Sequence, residues 1–188
     1  MNSTEAKIIA DYLLGNFEFE MQTTVRVLAA VPNDKLAYQP DSLAKSGIGL
    51  VRHIVLEDEW LLNSIADGQF NAPPDDSDAS GIMTPADGIA QYQVKLPAAL
   101  ARVRGMSPEQ LTQVLDLFGI LQLPAVDFIA LALKHSVHHR GQLSSYIRPM
   151  GGRVPGIYGP SANTATAWNG LFRAVAADPG TLVLGRDP

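Results

Sequence analysis

The chain has 188 residues, of which 46% are hydrophobic and 18% charged, with a formal net charge of −5 and no cysteine. Such a length can bury roughly 70% of the unfolded-state surface, so one domain over 1–188 is expected, and a disordered chain is excluded. Without cysteine there is no disulfide framework, thiolate zinc site, iron–sulfur cluster or cysteine nucleophile, and His, Asp and Glu remain as the strong metal ligands.

The N-terminus, Met1 to Lys7, lacks the basic start and apolar stretch of a secretory leader, and no apolar run reaches the ~20 residues of a membrane span. The expected setting is the cytoplasm, with no membrane partner. From Ser3 to about Val31, Ile9, Leu13, Phe17, Met21, Val25 and Leu28 recur at three- or four-residue intervals, which predicts a helix with that face inward. Asn2 is placed to cap it, with Glu5 as the reciprocal partner, and Pro32 ends it. Pro32 to Lys45 reads as a loop. Ser46 then caps a second helix running to about Asp67, with Gly68 as its stop. Gln69 to Met83, rich in Pro, Asp, Ser and Gly, is expected to be an exposed, mobile connection.

Thr84-Pro85-Ala86-Asp87 starts a third helix: Thr caps, Pro suits the first turn and Asp faces the positive end of the helix dipole. It should run to about Arg104, with Pro97 as a candidate kink. Ser107-Pro108-Glu109-Gln110 begins one or two helical turns, and Leu111 to Leu123 is read as loop. Pro124 opens a fourth long helix that ends at Pro149-Met150-Gly151-Gly152. Gly151 to Pro160 is a Gly/Pro-rich passage. A last helix is expected from Ser161 to about Ala177, followed by a loosely ordered tail over 178–188. Four long helices with short or polar links make an all-α antiparallel four-helix bundle with extra short helical segments the natural architecture.

Chemistry concentrates in Lys134-His135-Ser136-Val137-His138-His139-Arg140-Gly141-Gln142. At ~100° per residue, His135 and His139 stand about 40° apart on one face and one turn apart along it, within reach of a single cation. Their line also carries Phe128, Ala132, Gln142 and Tyr146, which points it into the bundle. His138, three residues from His135, competes for the second position, but its line runs through Ser145 and leaves it solvated or behind a ligand. The fourth histidine, His53, lies on the second helix. Facing helices ~8 to 10 Å apart would let it converge with the pair, leaving coordination positions for water or substrate, as catalytic sites do.

Glu57, one turn after His53, can take a proton from a bound group or orient a ligand's second nitrogen; alternatively Glu57, Asp58 and Glu59 form a solvated acidic stretch. Arg140 can hold an anionic substrate or pair with that stretch. Gly141 costs its helix about 1 kcal/mol relative to Ala, a loss that close approach of a neighbouring helix would justify. There is no His-Glu-x-x-His, EF-hand loop, Walker A, Gly-x-Ser-x-Gly or dinucleotide fingerprint. The acidic balance and the lack of a Lys/Arg block argue against nucleic acid.

Val51-Arg52-His53-Ile54-Val55-Leu56, Lys134 to Leu143, and Val154-Pro155-Gly156-Ile157-Tyr158-Gly159-Pro160-Ser161 are the segments in which this chain resembles the DinB/YfiT-like superfamily of metalloenzymes. That resemblance implies a four-helix bundle, usually a homodimer. It also implies a divalent ion, nickel or zinc, on one histidine of the second helix and an i, i+4 pair of the fourth. Carried over, these metal ligands are His53, His135 and His139. Family members of known activity include thiol-dependent S-transferases and isomerases, in which the metal activates a low-molecular-weight thiol. The family's name reflects DNA-damage induction and not chemistry, and an unrelated DNA polymerase bears the same letters.

The expectation is therefore a metal-dependent enzyme acting on a small-molecule substrate by activating a thiol or water. Two other readings stand beside it: a stress-response or ligand-binding bundle whose ion only braces the helices, and a metal-free bundle with core histidines.

Overall fold

The computed structural model describes residues 1–164. The expected last helix and tail lie outside them, apart from a turn over 162–164. Four long helices form, α1 (Ser3–Ala29), α2 (Gly47–Asp67), α3 (Pro85–Arg104) and, after the short α4 (Pro108–Thr112) and a two-stranded hairpin, α5 (Ala125–Ile147). The start signals act as expected. Asn2 with Glu5, and Thr84 with Asp87, form reciprocal capping boxes; Ser46 caps α2; Gly68 ends it in the left-handed conformation that glycine adopts without a Cβ clash. Pro97 does not interrupt α3, and it lies on the exposed side, where the carbonyl it frees can meet water.

α1 and α2 each pack against both α3 and α5, so α1 and α2 sit diagonally across a four-helix bundle. Leu50, Ile54, Leu62, Leu96, Phe128 and Ile129 are among the side chains fully buried between them. The inward face of α1 is largely the one read from its spacing: Phe17 and Leu28 are buried, Leu13, Met21 and Val25 pack half-buried against the core, and only Ile9 of that line is exposed. Ala6, Ala10, Leu14 and Phe17 are buried, whereas Ile8, Ile9, Tyr12 and Phe19 are exposed. Small Ala6 and Ala10 share that face because they let the neighbouring helices approach, and a reading weighted by side-chain size passes over them.

A correction concerns 111–123. Instead of a loop, Val114–Leu117 (β1) and Leu121–Pro124 (β2) pair antiparallel, with Leu115 opposite Leu123 and Leu117 opposite Leu121. Phe118 (φ 54°) and Gly119 (φ 72°) both take positive φ, and the Ile120 N–H donates to the Leu117 carbonyl, the geometry of a type I′ hairpin turn. A phenylalanine at the first of these positions is unusual. Its ring stacks over Trp60 at 6.5 Å between centroids, with 16° between planes, which helps offset the strain of the left-handed backbone.

The connection from Gln69 to Met83 is pinned rather than free. The Arg52 side chain, on α2, donates from Nε to the Ile82 carbonyl at 2.7 Å and pairs with Asp78 at 2.6 Å. Ile82 is fully buried, and Lys45 pairs with Asp76 at 2.5 Å. This part of the chain is thereby laid over the N-terminal half of α2, where His53 stands.

Candidate metal centre

His53 on α2 and His135 and His139 on α5 come together at the centre of the α2–α5 interface. One ring nitrogen from each lies within 4.8 Å of the others, and all three rings are half-buried. This is the only such cluster of His and carboxylate donors found among the described residues. Nε2 of His53 lies 3.2 Å from Nε2 of His139. Two nitrogens ~2.0–2.1 Å from one tetrahedral ion would be roughly 3.3–3.4 Å apart, so this pair is already close to the spacing of shared ligands. Nδ1 of His139 faces Oε1 of Gln142 at 3.0 Å. With the proton on Nδ1 donated to that oxygen, Nε2 keeps its lone pair and points it into the cluster.

The electrostatics suit a cation site. Burial, followed by the proximity of His139, lowers the proton affinity of both His53 and His135, each to about 4; burial also lowers that of His139. Neutral imidazoles at neutral pH are the form that ligates a metal. Nδ1 of His53 and Nδ1 of His135 are buried without a hydrogen-bond partner among the described residues. Nδ1 of His53 faces Asp76 and Glu57 and not the cluster, so it is the converging Nε2 atoms of His53 and His139 and the neutral, all-imidazole donor set that suit an ion. The residues present therefore fit a divalent ion held by His53, His135 and His139.

The site residues read from spacing divide cleanly. His53, His135 and His139 converge, and Phe128, Ala132 and Tyr146 on the same line are buried as expected. His138 is exposed and turns toward α1, where it lines a cavity of about 370 Å³ with Asn16, Glu20, Leu133, Lys134 and Val137.

The solvated acidic stretch is overturned. Glu57 is mostly covered and lies 4.0 Å from His53 Nδ1, Asp58 is wholly buried, and only Glu59 reaches outward, to Lys95 at 3.2 Å. Burial and the nearby Asp76 push the Glu57 carboxyl above its ordinary range.

Arg140 does not pair with that stretch. It is buried, donates to the Glu20 carboxylate and to the Glu20 backbone carbonyl on α1, and reaches the Tyr158 hydroxyl. With these partners it is committed to holding α1, α5 and the 151–160 passage together, not to a substrate. The expected close approach at Gly141 is also absent: among the described residues nothing lies within 4 Å of where its Cβ would be. The close approach is at Gly88 on α3, where a Cβ would sit 2.8 Å from Cγ1 of Val51.

Two features escaped the sequence reading. Asp76, on the connection dismissed as exposed, brings Oδ2 to 3.7 Å from His53 Nδ1; nothing in the local composition distinguishes it from its acidic neighbours Asp75 and Asp78. Asp58 accepts hydrogen bonds on Oδ2 from Tyr92 of α3 and Ser136 of α5, both at 2.7 Å. Its position on the apolar side of α2, four residues after Ile54 and four before Leu62, was the available signal.

Comparison with known proteins agrees with this fold. YrdA of Bacillus subtilis (strain 168), an uncharacterized protein, is 27% identical over 153 residues, covering 80% of this chain and 89% of YrdA. YjoA of the same organism is 26% identical over 145 residues, covering 76% and 91% respectively. The crystal structure of YjoA, described as DinB-like, superposes with a TM-score of 0.61 at 22% identity over 80% of this chain and 99% of that one. A DinB-like protein from Bacillus cereus superposes with a TM-score of 0.65 at 22% identity, covering 78% and 95%. These structures share the fold. The model of the DinB family matches residues 1–170, which takes in all four bundle helices and the three histidines, and the chain belongs to that family.

Proposed function

We propose that this chain is a divalent-metal-dependent enzyme whose open three-histidine site activates a small thiol, or water, for attack on a small-molecule substrate. The observation that carries this reading is the convergence of His53, His135 and His139 nitrogens within 4.8 Å. A nickel or zinc ion held there supplies Lewis-acid chemistry, lowering the pKa of a thiol or water at a position the protein leaves free. The three imidazoles, kept neutral by burial, hold the ion without competing protons. Glu57, one turn after His53 and with its carboxyl raised by burial, is the candidate to accept the proton of the incoming thiol or water, although the approach seen is to Nδ1 of His53. Preference for a low-molecular-weight thiol over water rests on the family resemblance. A cytoplasmic setting and a homodimer belong to the same proposal.

Metal analysis of untagged protein tests it. We expect about one equivalent of ion per chain, lost in both His53→Ala and His139→Ala while circular dichroism stays helical. Turnover that needs an added thiol supports S-transfer, whereas ester or amide hydrolysis without thiol supports water. Metal-dependent stabilisation with neither turnover would support an ion that merely braces α2 against α5, and wild-type protein that binds no ion overturns the proposal.

A further inference from the structure

A histidine that gives Nε2 to a cation must carry its proton on Nδ1, and that proton needs an acceptor. His139 has one in Gln142. His53 does not: its Nδ1 is buried with no hydrogen bond. In the arrangement described here, the 3.2 Å contact with His139 Nε2 is satisfied by a proton on His53 Nε2, since His139 Nε2 offers a lone pair. Handing both Nε2 atoms to a cation removes that proton and moves it to Nδ1 of His53.

Two carboxylates face Nδ1. Oδ2 of Asp76 is at 3.7 Å and Oε1 of Glu57 at 4.0 Å, both beyond hydrogen-bond length. Glu57 is fixed to the same helix as His53. Asp76 is on the connection, and its neighbourhood is held down on both sides: by Lys45 at Asp76 itself, and by Arg52, next in sequence to His53, at Asp78 and Ile82.

We propose that Asp76 is the positioning residue for His53, accepting the Nδ1 proton when Nε2 is given to the cation, so that cation binding closes the remaining gap at Asp76 and tightens the already pinned 69–83 connection against α2. The residue touches neither substrate nor ion. It selects the His53 tautomer and fixes the ring, and through it occupancy of the centre is coupled to the long connection. This inference rests on the metal-binding reading above.

Zinc affinity measured by competition with a chromophoric chelator tests it on the full chain. Loss of such an outer partner weakens metal affinity by about 10- to 100-fold. Asp76→Ala should show that loss. Asp76→Asn, which keeps an acceptor oxygen, should recover part of it, and Glu57→Gln should stay within a few fold of wild type. Thermal melting of the metal-free Asp76→Ala protein should match wild type, which separates positioning from general stability. The cobalt-loaded variant should keep the wild-type absorption spectrum, since no ligand is lost. Zinc should also slow proteolysis within 69–83 in wild type and not in Asp76→Ala.

Wild-type affinity in Asp76→Ala, or a larger loss in Glu57→Gln, overturns the proposal while leaving the metal centre intact. A changed cobalt spectrum makes Asp76 a ligand and likewise overturns it. If wild type binds no zinc or cobalt, the metal reading falls and takes this one with it.

Discussion

Asp58 has no solvent exposure, and although Tyr92 and Ser136 both donate to Oδ2, its Oδ1 has no partner among the described residues. Burial raises its pKa from 3.8 to about 7, against the opposing effect of its two hydrogen bonds and of the Arg140 charge. Between about pH 4 and 7 the folded chain keeps a proton that the unfolded chain has released, so the stability linked to Asp58 is complete below that window and lost as pH rises through it. Asp58→Asn retains an acceptor for Tyr92 and Ser136 and cannot ionise. It should therefore match wild type at about pH 3.5, below the window, and be more stable at pH 8 by on the order of 3–4 kcal/mol. Denaturant titrations at the two pH values check this, and an equal gap at both would refute it. Arg140 is another buried charge, and its donation to the Glu20 carboxylate joins α5 to α1. Truncation to Ala should destabilise by about 3 kcal/mol or more, since one member of a buried pair is removed and the other remains; urea unfolding at pH 7 measures it.

At the scale of elements, two helical glycines with the same intrinsic penalty have opposite surroundings. Gly141 on α5 has open space around its missing Cβ, so Gly141→Ala should stabilise by about 0.5–1 kcal/mol through helix propensity alone. Gly88 on α3 faces Val51 Cγ1 at 2.8 Å. There Gly88→Ala must push α3 from α2, and a loss of about 1–3 kcal/mol is expected from overpacking. Melting temperatures of the two variants should move in opposite directions, and a shift of the same sign in both would contradict the packing described. Helix starts were legible because Asn2, Ser46 and Thr84 act on amide groups within three residues of themselves. The hairpin was not, because its turn is Phe118-Gly119 rather than the Asn-Gly that usually announces one. The alternation of Leu115 and Leu117 with polar Asp116 was too short to outweigh the helix-like residues around it.

At the scale of the molecule, Ile8, Tyr12 and Phe19 leave an apolar stripe on the outer face of α1, exposed among the described residues. If a second copy of the chain covers it, Phe19→Glu should convert a dimer to a monomer in light scattering without changing metal content. A wild-type protein that is already monomeric would remove the homodimer from the proposed function. The bundle also explains why occupancy should register globally: the candidate ligands come from α2 and α5, which are joined only through long connections, so an ion binding the folded state alone stabilises it by about 2.7 kcal/mol at a hundredfold excess over its dissociation constant.

From sequence alone, the helix count and boundaries through Ile147, the His135 and His139 pair on one face, and the candidacy of His53 were determined. All of these follow from interactions or periodicities spanning a few residues. Tertiary structure decided that Arg140 turns to Glu20, that Asp58 is interior, and that Asp76 stands over His53. Each of these depends on where a distant segment comes to rest. A backbone period fixes directions around one helix axis; the separation of two side chains on different elements is set by how the elements pack.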